Sequence, residues 1–101
     1  MFLARFSYDV RPVDREAALG FIRREVEAAH AKGLAARLLV PLTRAQGGAA
    51  LQFEVAFESL DQLYVFRQRG VGSQDQTEDW MRAFSEILLT PPAAEILRIL
   101  D

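Results

Sequence analysis

Three stretches of this chain alternate apolar and polar residues with a period of two, and the segments between them repeat their apolar residues every three or four positions. Residues 2–10 set Phe2, Ala4, Phe6, Tyr8 and Val10 against Leu3, Arg5, Ser7 and Asp9; residues 35–42 and 50–57 repeat the pattern with Ala36, Leu38, Val40, Leu42 and with Leu51, Phe53, Val55, Phe57. Such alternation is the mark of half-buried strands. Between the first two, Pro12 and Asp14 offer a helix start, Ala18, Ile22, Val26 and Ala29 form an inward stripe, and Gly33 offers the stop. Gly47-Gly48 marks a turn between the second and third strands. After the third strand, Ser59-Leu60-Asp61-Gln62 reads as a capping box opening a short helix that ends near Gly70. Ser73-Gln74-Asp75-Gln76 repeats the signal before the stripe Trp80, Met81, Phe84, Ile87, Leu88. Pro91-Pro92 ends that helix, and residues 93–100 supply a last strand.

The order strand, helix, strand, strand, helix pair, strand predicts an α+β fold of ferredoxin-like βαββαβ type. Right-handed crossovers place its four antiparallel strands in the order 4-1-3-2 with the helices on one face. At 101 residues, with no internal repeat or linker, the chain reads as a single domain spanning 1–101. The face without helices then carries Arg5, Ser7, Gln52, Glu54, Arg37 and Leu39, with either Ile96 and Arg98 or Leu97 and Ile99 from the last strand. Aliphatic residues among charges on an open face suit a symmetric partner better than water, so a homodimer through that face is expected.

Composition removes several classes of function. The chain has no cysteine and one histidine, His30, which excludes disulfides, thiolate chemistry and multi-histidine metal sites. No apolar run approaches the roughly 20 residues of a membrane span, and the N-terminus lacks a leader pattern, so a cytoplasmic protein is expected. A net charge of −2 gives no general attraction to nucleic acid or anionic lipid. Basic residues are nearly all arginine, which with the abundant alanine fits a GC-rich bacterial genome. The lone Lys32 is the only possible Schiff-base amine and reads as a solvated charge at a helix end.

The whole chain resembles the dimeric α+β-barrel superfamily, in particular its NIPSNAP-like branch. The likeness is carried by Phe53-Glu54-Val55-Ala56-Phe57-Glu58-Ser59-Leu60-Asp61, by the helix containing Glu78-Asp79-Trp80-Met81, and by Ala94-Glu95-Ile96-Leu97-Arg98-Ile99-Leu100. It implies a dimer whose two sheets meet as a barrel, and a superfamily that includes small-molecule monooxygenases, isomerases and haem-degrading enzymes. The axial histidine of haem-degrading members lies on the helix after the third strand. Here His30 ends the helix after the first, which argues against haem, and no cofactor is expected. RNA-recognition domains share the topology, but Ala50, Gln52 and Glu54 stand where that motif needs a basic residue and two aromatics.

Two constellations carry candidate chemistry. The first is the row Arg98, Arg5, Glu54, Arg37, one residue per strand, readable as an anion clamp or as ion pairs linking two subunits. The second gathers Tyr8, His30, Tyr64, Arg67 and Trp80 between helices and sheet, readable as an aromatic ligand pocket or as core residues with satisfied polar atoms. A general base at neutral pH would be His30 or a carboxylate with a raised pKa. Gly70-Val71-Gly72 before Ser73 is a weak anion-nest signal whose ordinary reading is a loop. The functional expectation is a homodimeric small-molecule-binding protein, in its catalytic form a cofactor-independent, monooxygenase- or isomerase-like enzyme acting on an aromatic or polyketide-like compound. The alternative is a dimeric structural or interaction module without a catalytic site.

Overall fold

Seven residues of period-two sequence make the first strand, β1 (Phe2–Tyr8), which turns its small and aromatic residues Ala4, Phe6 and Tyr8 to one side and Leu3, Arg5 and Ser7 to the other. The computed structural model describes residues 1–43, 49–69 and 74–100, with side chains at 67–69 and 74–78 outside the description. The expected turns at Gly47-Gly48 and Gly70-Val71-Gly72, and the Ser73 cap, lie outside the described residues. After β1, a 3-10 turn at Pro12–Asp14 leads into α1 (Arg15–Ala31). Then follow β2 (Ala36–Leu39), β3 (Leu51–Phe57), α2 (Leu60–Arg69), α3 (Gln74–Ile87) and β4 (Ala93–Arg98). The strands form one antiparallel sheet in the order β2-β3-β1-β4, which is the expected 4-1-3-2 read from the other edge.

The ends of α1 and α2 follow from their local sequence. Gly33 adopts φ +77° and closes a Schellman turn in which its own N–H donates to the His30 carbonyl at 2.9 Å and that of Leu34 donates to the Ala29 carbonyl at 3.0 Å. At the start of α2, Ser59 Oγ accepts the Gln62 N–H at 3.2 Å, and Gln62 Oε1 reaches back to the Glu58 N–H at 2.7 Å. This is a capping box whose return bond lands one residue early. The alternation of residues 2–10 outruns the strand itself: β1 stops at Tyr8, and Val10 makes an isolated bridge to Leu88 that ties the strand's exit to the end of α3.

The core fills the space between sheet and helices. Ala18, Ile22 and Ala29 of α1 lie on Phe53, Val55 and Phe57 of β3, while Trp80 and Phe84 of α3 close over Tyr8 and Phe21. Ring centroids within this layer stand 4.8–6.4 Å apart, the spacing at which aromatic pairs add to simple burial. The opposite face of the sheet carries no helix among the described residues.

Candidate functional site

The register of the sheet decides which charges meet on its open face. Arg5 stands opposite Glu54 on β3, Glu54 opposite Arg37 on β2, and on the other side Arg5 stands opposite Glu95 of β4. The row across the four strands is therefore Arg37, Glu54, Arg5, Glu95, alternating in sign. Arg98, expected to complete it, is displaced three residues along β4. It pairs with Phe2 and lays its guanidinium over the Phe2 ring at 5.8 Å, on the helix side of the sheet. An offset of three is odd, and with a side-chain period of two an odd offset reverses the face. The open face thus takes Leu97 and Ile99 from the last segment rather than Ile96 and Arg98.

Glu54 sits at the centre of that row and is only 2% exposed, because two guanidiniums cover it. Arg5 reaches Oε1 through Nε at 2.8 Å and Nη2 at 2.7 Å; Arg37 reaches Oε2 through Nε at 3.0 Å and Nη2 at 2.9 Å. Each carboxylate oxygen is thus held by one fork, the geometry that makes arginine–carboxylate pairs strong. Burial would push the Glu54 carboxyl up, but the hydrogen bonds and charges of Arg5 and Arg37 outweigh it and hold the group below the ordinary carboxylate value. All these bonds lie within one chain. The counter-charges of Glu54 need no second subunit, and the two forks are already turned inward on a carboxylate.

The second expected constellation separates on folding. Tyr8 is buried against Phe84, and Trp80 is buried with its indole N–H donating to the Phe21 carbonyl at 3.1 Å. His30 lies at the exposed end of α1, its Nε2 hydrogen-bonding to the Ala36 carbonyl at 3.0 Å, which ties the helix end to β2. Tyr64 projects outward from α2, 64% exposed. Arg67 belongs to the same helix, and its side chain lies outside the described residues. Tyr64 and His30 therefore stand apart from the Tyr8–Trp80 layer.

In place of that grouping, Tyr8 has a partner that pattern reading passed over. Its hydroxyl donates to Glu25 Oε2 at 3.1 Å, inside the layer between α1 and the sheet. Burial pushes the Glu25 carboxyl up to about 8, against the lowering effect of the Tyr8 hydrogen bond. The Tyr8 phenol is in turn driven well above its usual value by burial, by the charge of Glu25 and by the hydrogen bond between them. Glu25 is thus a carboxyl that exchanges its proton near neutrality, the property general acid–base chemistry requires. The signal was present in the sequence: Glu25 lies three residues after Ile22 and four before Ala29, an acid on the inward stripe of α1.

Clefts among the described residues include three of note. One of about 420 Å3 lies between the end of α1 and the start of α2, lined by Lys32, Leu34, Ser59, Asp61, Gln62, Val65 and Phe66. Another, of about 270 Å3, lies on the open sheet face beside Leu3, Arg37, Glu54, Ala56 and Ile99. The third, of about 220 Å3, lies beside Val10, Pro12 and Pro41. None of these three is lined by Tyr8, Glu25, Tyr64 or Trp80. Among the described residues, no group of three or more His, Cys, Asp or Glu is placed to hold a metal ion, and no helix is long and apolar enough to cross a membrane.

No protein-family model matches the chain, and no curated protein matches it. Solved structures do. A NIPSNAP family protein from Agrobacterium tumefaciens strain C58 superposes with a TM-score of 0.74 at 17% identity, over 99% of this chain and 93% of that one. An uncharacterized NIPSNAP domain protein from Burkholderia xenovorans gives 0.73 at 12% identity, over 99% and 95%. An antibiotic biosynthesis monooxygenase gives 0.73 at 12% identity over the whole of both chains. At such identities the likeness is one of backbone rather than of site residues. With its β2-β3-β1-β4 sheet and one helical layer, the chain has the ferredoxin-like α+β fold shared by the NIPSNAP and antibiotic biosynthesis monooxygenase structures.

Proposed function

We propose that residues 1–101 form one dimeric α+β-barrel domain, a homodimeric small-molecule-binding protein of the cytoplasm whose two copies close their open sheet faces on each other. The observation that carries this reading is the make-up of that face. Leu3, Leu39, Ala56, Leu97 and Ile99 surround a row of two positive and two negative charges, Arg37, Glu54, Arg5 and Glu95, whose central carboxylate is already paired. A face that is charge-balanced and aliphatic can be covered by its own copy without burying an unpaired charge. In its catalytic form the protein is a cofactor-independent enzyme, monooxygenase- or isomerase-like, for an aromatic or polyketide-like compound.

Sedimentation equilibrium combined with a thermal-shift screen of flat aromatic and polyketide-like compounds tests both halves. A dimer at micromolar concentration stabilised by at least one compound class supports the proposal, and a monomer that no compound stabilises overturns it. One observation favours the alternative, a dimeric structural module. Tyr8, Phe21, Trp80 and Phe84 pack on one another, and none of the three clefts above is lined by them. A dimer that stays inert through the screen selects that reading.

A further inference from the structure

We infer that the two copies of the proposed dimer meet about a two-fold axis that runs along the strands between β3 and β1. Glu95 of each copy then takes the partner's Arg37, and Leu97 of each enters the cleft beside the partner's Ala35. The inference rests on the dimeric half of the reading above and adds to it the orientation and the contacts that fix it. In-chain pairing leaves charge over at both edges of the open face. Arg5 and Arg37 share the single carboxylate of Glu54, so that group keeps one positive charge, and its outer member Arg37 lies exposed on the edge strand β2. Glu95 lies exposed on the other edge strand, β4, and makes no ion pair among the described residues, since Arg5 opposite it is turned to Glu54. Three strand spacings of about 4.8 Å separate the two surplus charges, too far for them to meet within one chain.

Two sheets packed face to face by a two-fold have that axis in the plane between them. An axis along the strands reverses strand order and keeps height, so β2 faces the partner's β4 and β3 faces the partner's β1. The row Arg37, Glu54, Arg5, Glu95 then meets its own reverse, with opposite charge at every place. An axis laid across the strands on that row would set each charge over its own copy. Size selects the same axis. In the neighbouring row the Ala35 carbonyl accepts the Ala56 N–H at 2.9 Å, Ala56 stands opposite Leu3, and Leu3 opposite Leu97. Reversed on itself, this row sets a leucine over an alanine at every place, where the other axis would set leucine on leucine. The cleft of about 270 Å3 on this face is lined by Ala35, Ala36, Arg37 and Ala56, where the partner's Leu97 arrives. On the far side of the charged row, Leu39 likewise comes over the partner's Ala93.

Charge and size exchanges, read as dimer dissociation constants by analytical ultracentrifugation, test the axis. Arg37→Glu and Glu95→Arg should each weaken the dimer at least tenfold. The protein carrying both, and the equimolar mixture of the two single variants, should return to within threefold of the parent. Because Arg37→Glu also removes a fork from Glu54, a second exchange leaves the charges alone. Leu97→Ala and Ala35→Leu should each weaken the dimer at least tenfold, the first by leaving a void and the second by a clash, and the two together should recover it. If Arg37→Glu unfolds the chain, the size exchange decides alone. Single variants that dimerise like the parent overturn the axis and leave the dimer standing, and so does an exchange that fails to recover in a protein with the parent's circular dichroism. A parent that is monomeric at micromolar concentration overturns the dimer itself and this arrangement with it.

Discussion

Glu54 is buried and Glu25 half-buried, and their surroundings push them in opposite directions. Glu54 is held ionised by two guanidiniums, so its contribution is fully present above the unfolded carboxylate value near 4.5 and is lost as pH falls below it toward the lowered folded value. Glu54→Gln keeps the shape but removes the charge. Because Arg37 is largely exposed and can rehydrate, a loss of about 1–2 kcal/mol in urea unfolding at pH 7 is expected, smaller than for a fully buried pair, together with weakening of the proposed dimer. A variant that melts and dimerises like the parent would remove Glu54 from the structural account. Glu25 behaves the other way. Its folded value of about 8 lies above the unfolded 4.5, so the folded state holds the extra proton between these values, and stability falls as pH rises through that window. Glu25→Gln should abolish this slope of about 1.4 kcal/mol per pH unit, matching the parent near pH 5 and exceeding it at pH 9. Thermal melts across pH 5–9 that keep the parent's slope in the variant would count against a protonated Glu25.

At the scale of elements, the sheet and helices are joined by a few specific closures. The α1–β2 turn depends on Gly33 at φ +77°, and a Cβ there would meet nothing within 4 Å. Gly33→Ala is therefore a purely conformational change, expected to cost about 1–2 kcal/mol from the left-handed backbone alone. A larger loss in chemical denaturation would mean that the turn carries contacts beyond its own hydrogen bonds. The α1–α3 contact depends on the Trp80 indole, whose N–H satisfies the Phe21 carbonyl. Trp80→Phe keeps a ring against Phe84 and deletes that donor, and because the Phe21 carbonyl keeps its place in the α1 hydrogen-bond ladder, about 1–2 kcal/mol of destabilisation is expected, from the lost indole bond and the smaller ring.

For the whole molecule, the helical layer covers one side of the sheet and leaves open the other, the face proposed above as the dimer interface. Leu3 and Leu97 face each other across β1 and β4 on that open side. Leu97→Asp places a carboxylate beside Glu95 on the proposed interface, so light scattering should show a shift from dimer to monomer at micromolar concentration, with the helical circular dichroism retained. A variant that stays dimeric would move the interface elsewhere, for instance to the exposed Leu60, Tyr64 and Val65 of α2.

The local sequence determined the elements and their order, because period-two alternation, the Ser59–Gln62 cap and the glycine stop at Gly33 act over only a few residues of chain. Strand order followed as well, since crossover handedness leaves few ways to connect such elements. The open face was legible up to its last strand, and there the choice between Ile96 with Arg98 and Leu97 with Ile99 turned on register. Register is set by pairing between β1 and β4, at opposite ends of the chain, so only the folded sheet could exchange Arg98 for Glu95 in the charged row. The same holds between the layers. A stripe shows that a residue points inward but not what it meets, and the contact between Glu25 of α1 and Tyr8 of β1 exists only once the helix lies across the sheet. Desolvation, against the lowering pull of the Tyr8 hydrogen bond, then raises an ordinary acid of the sequence to about 8.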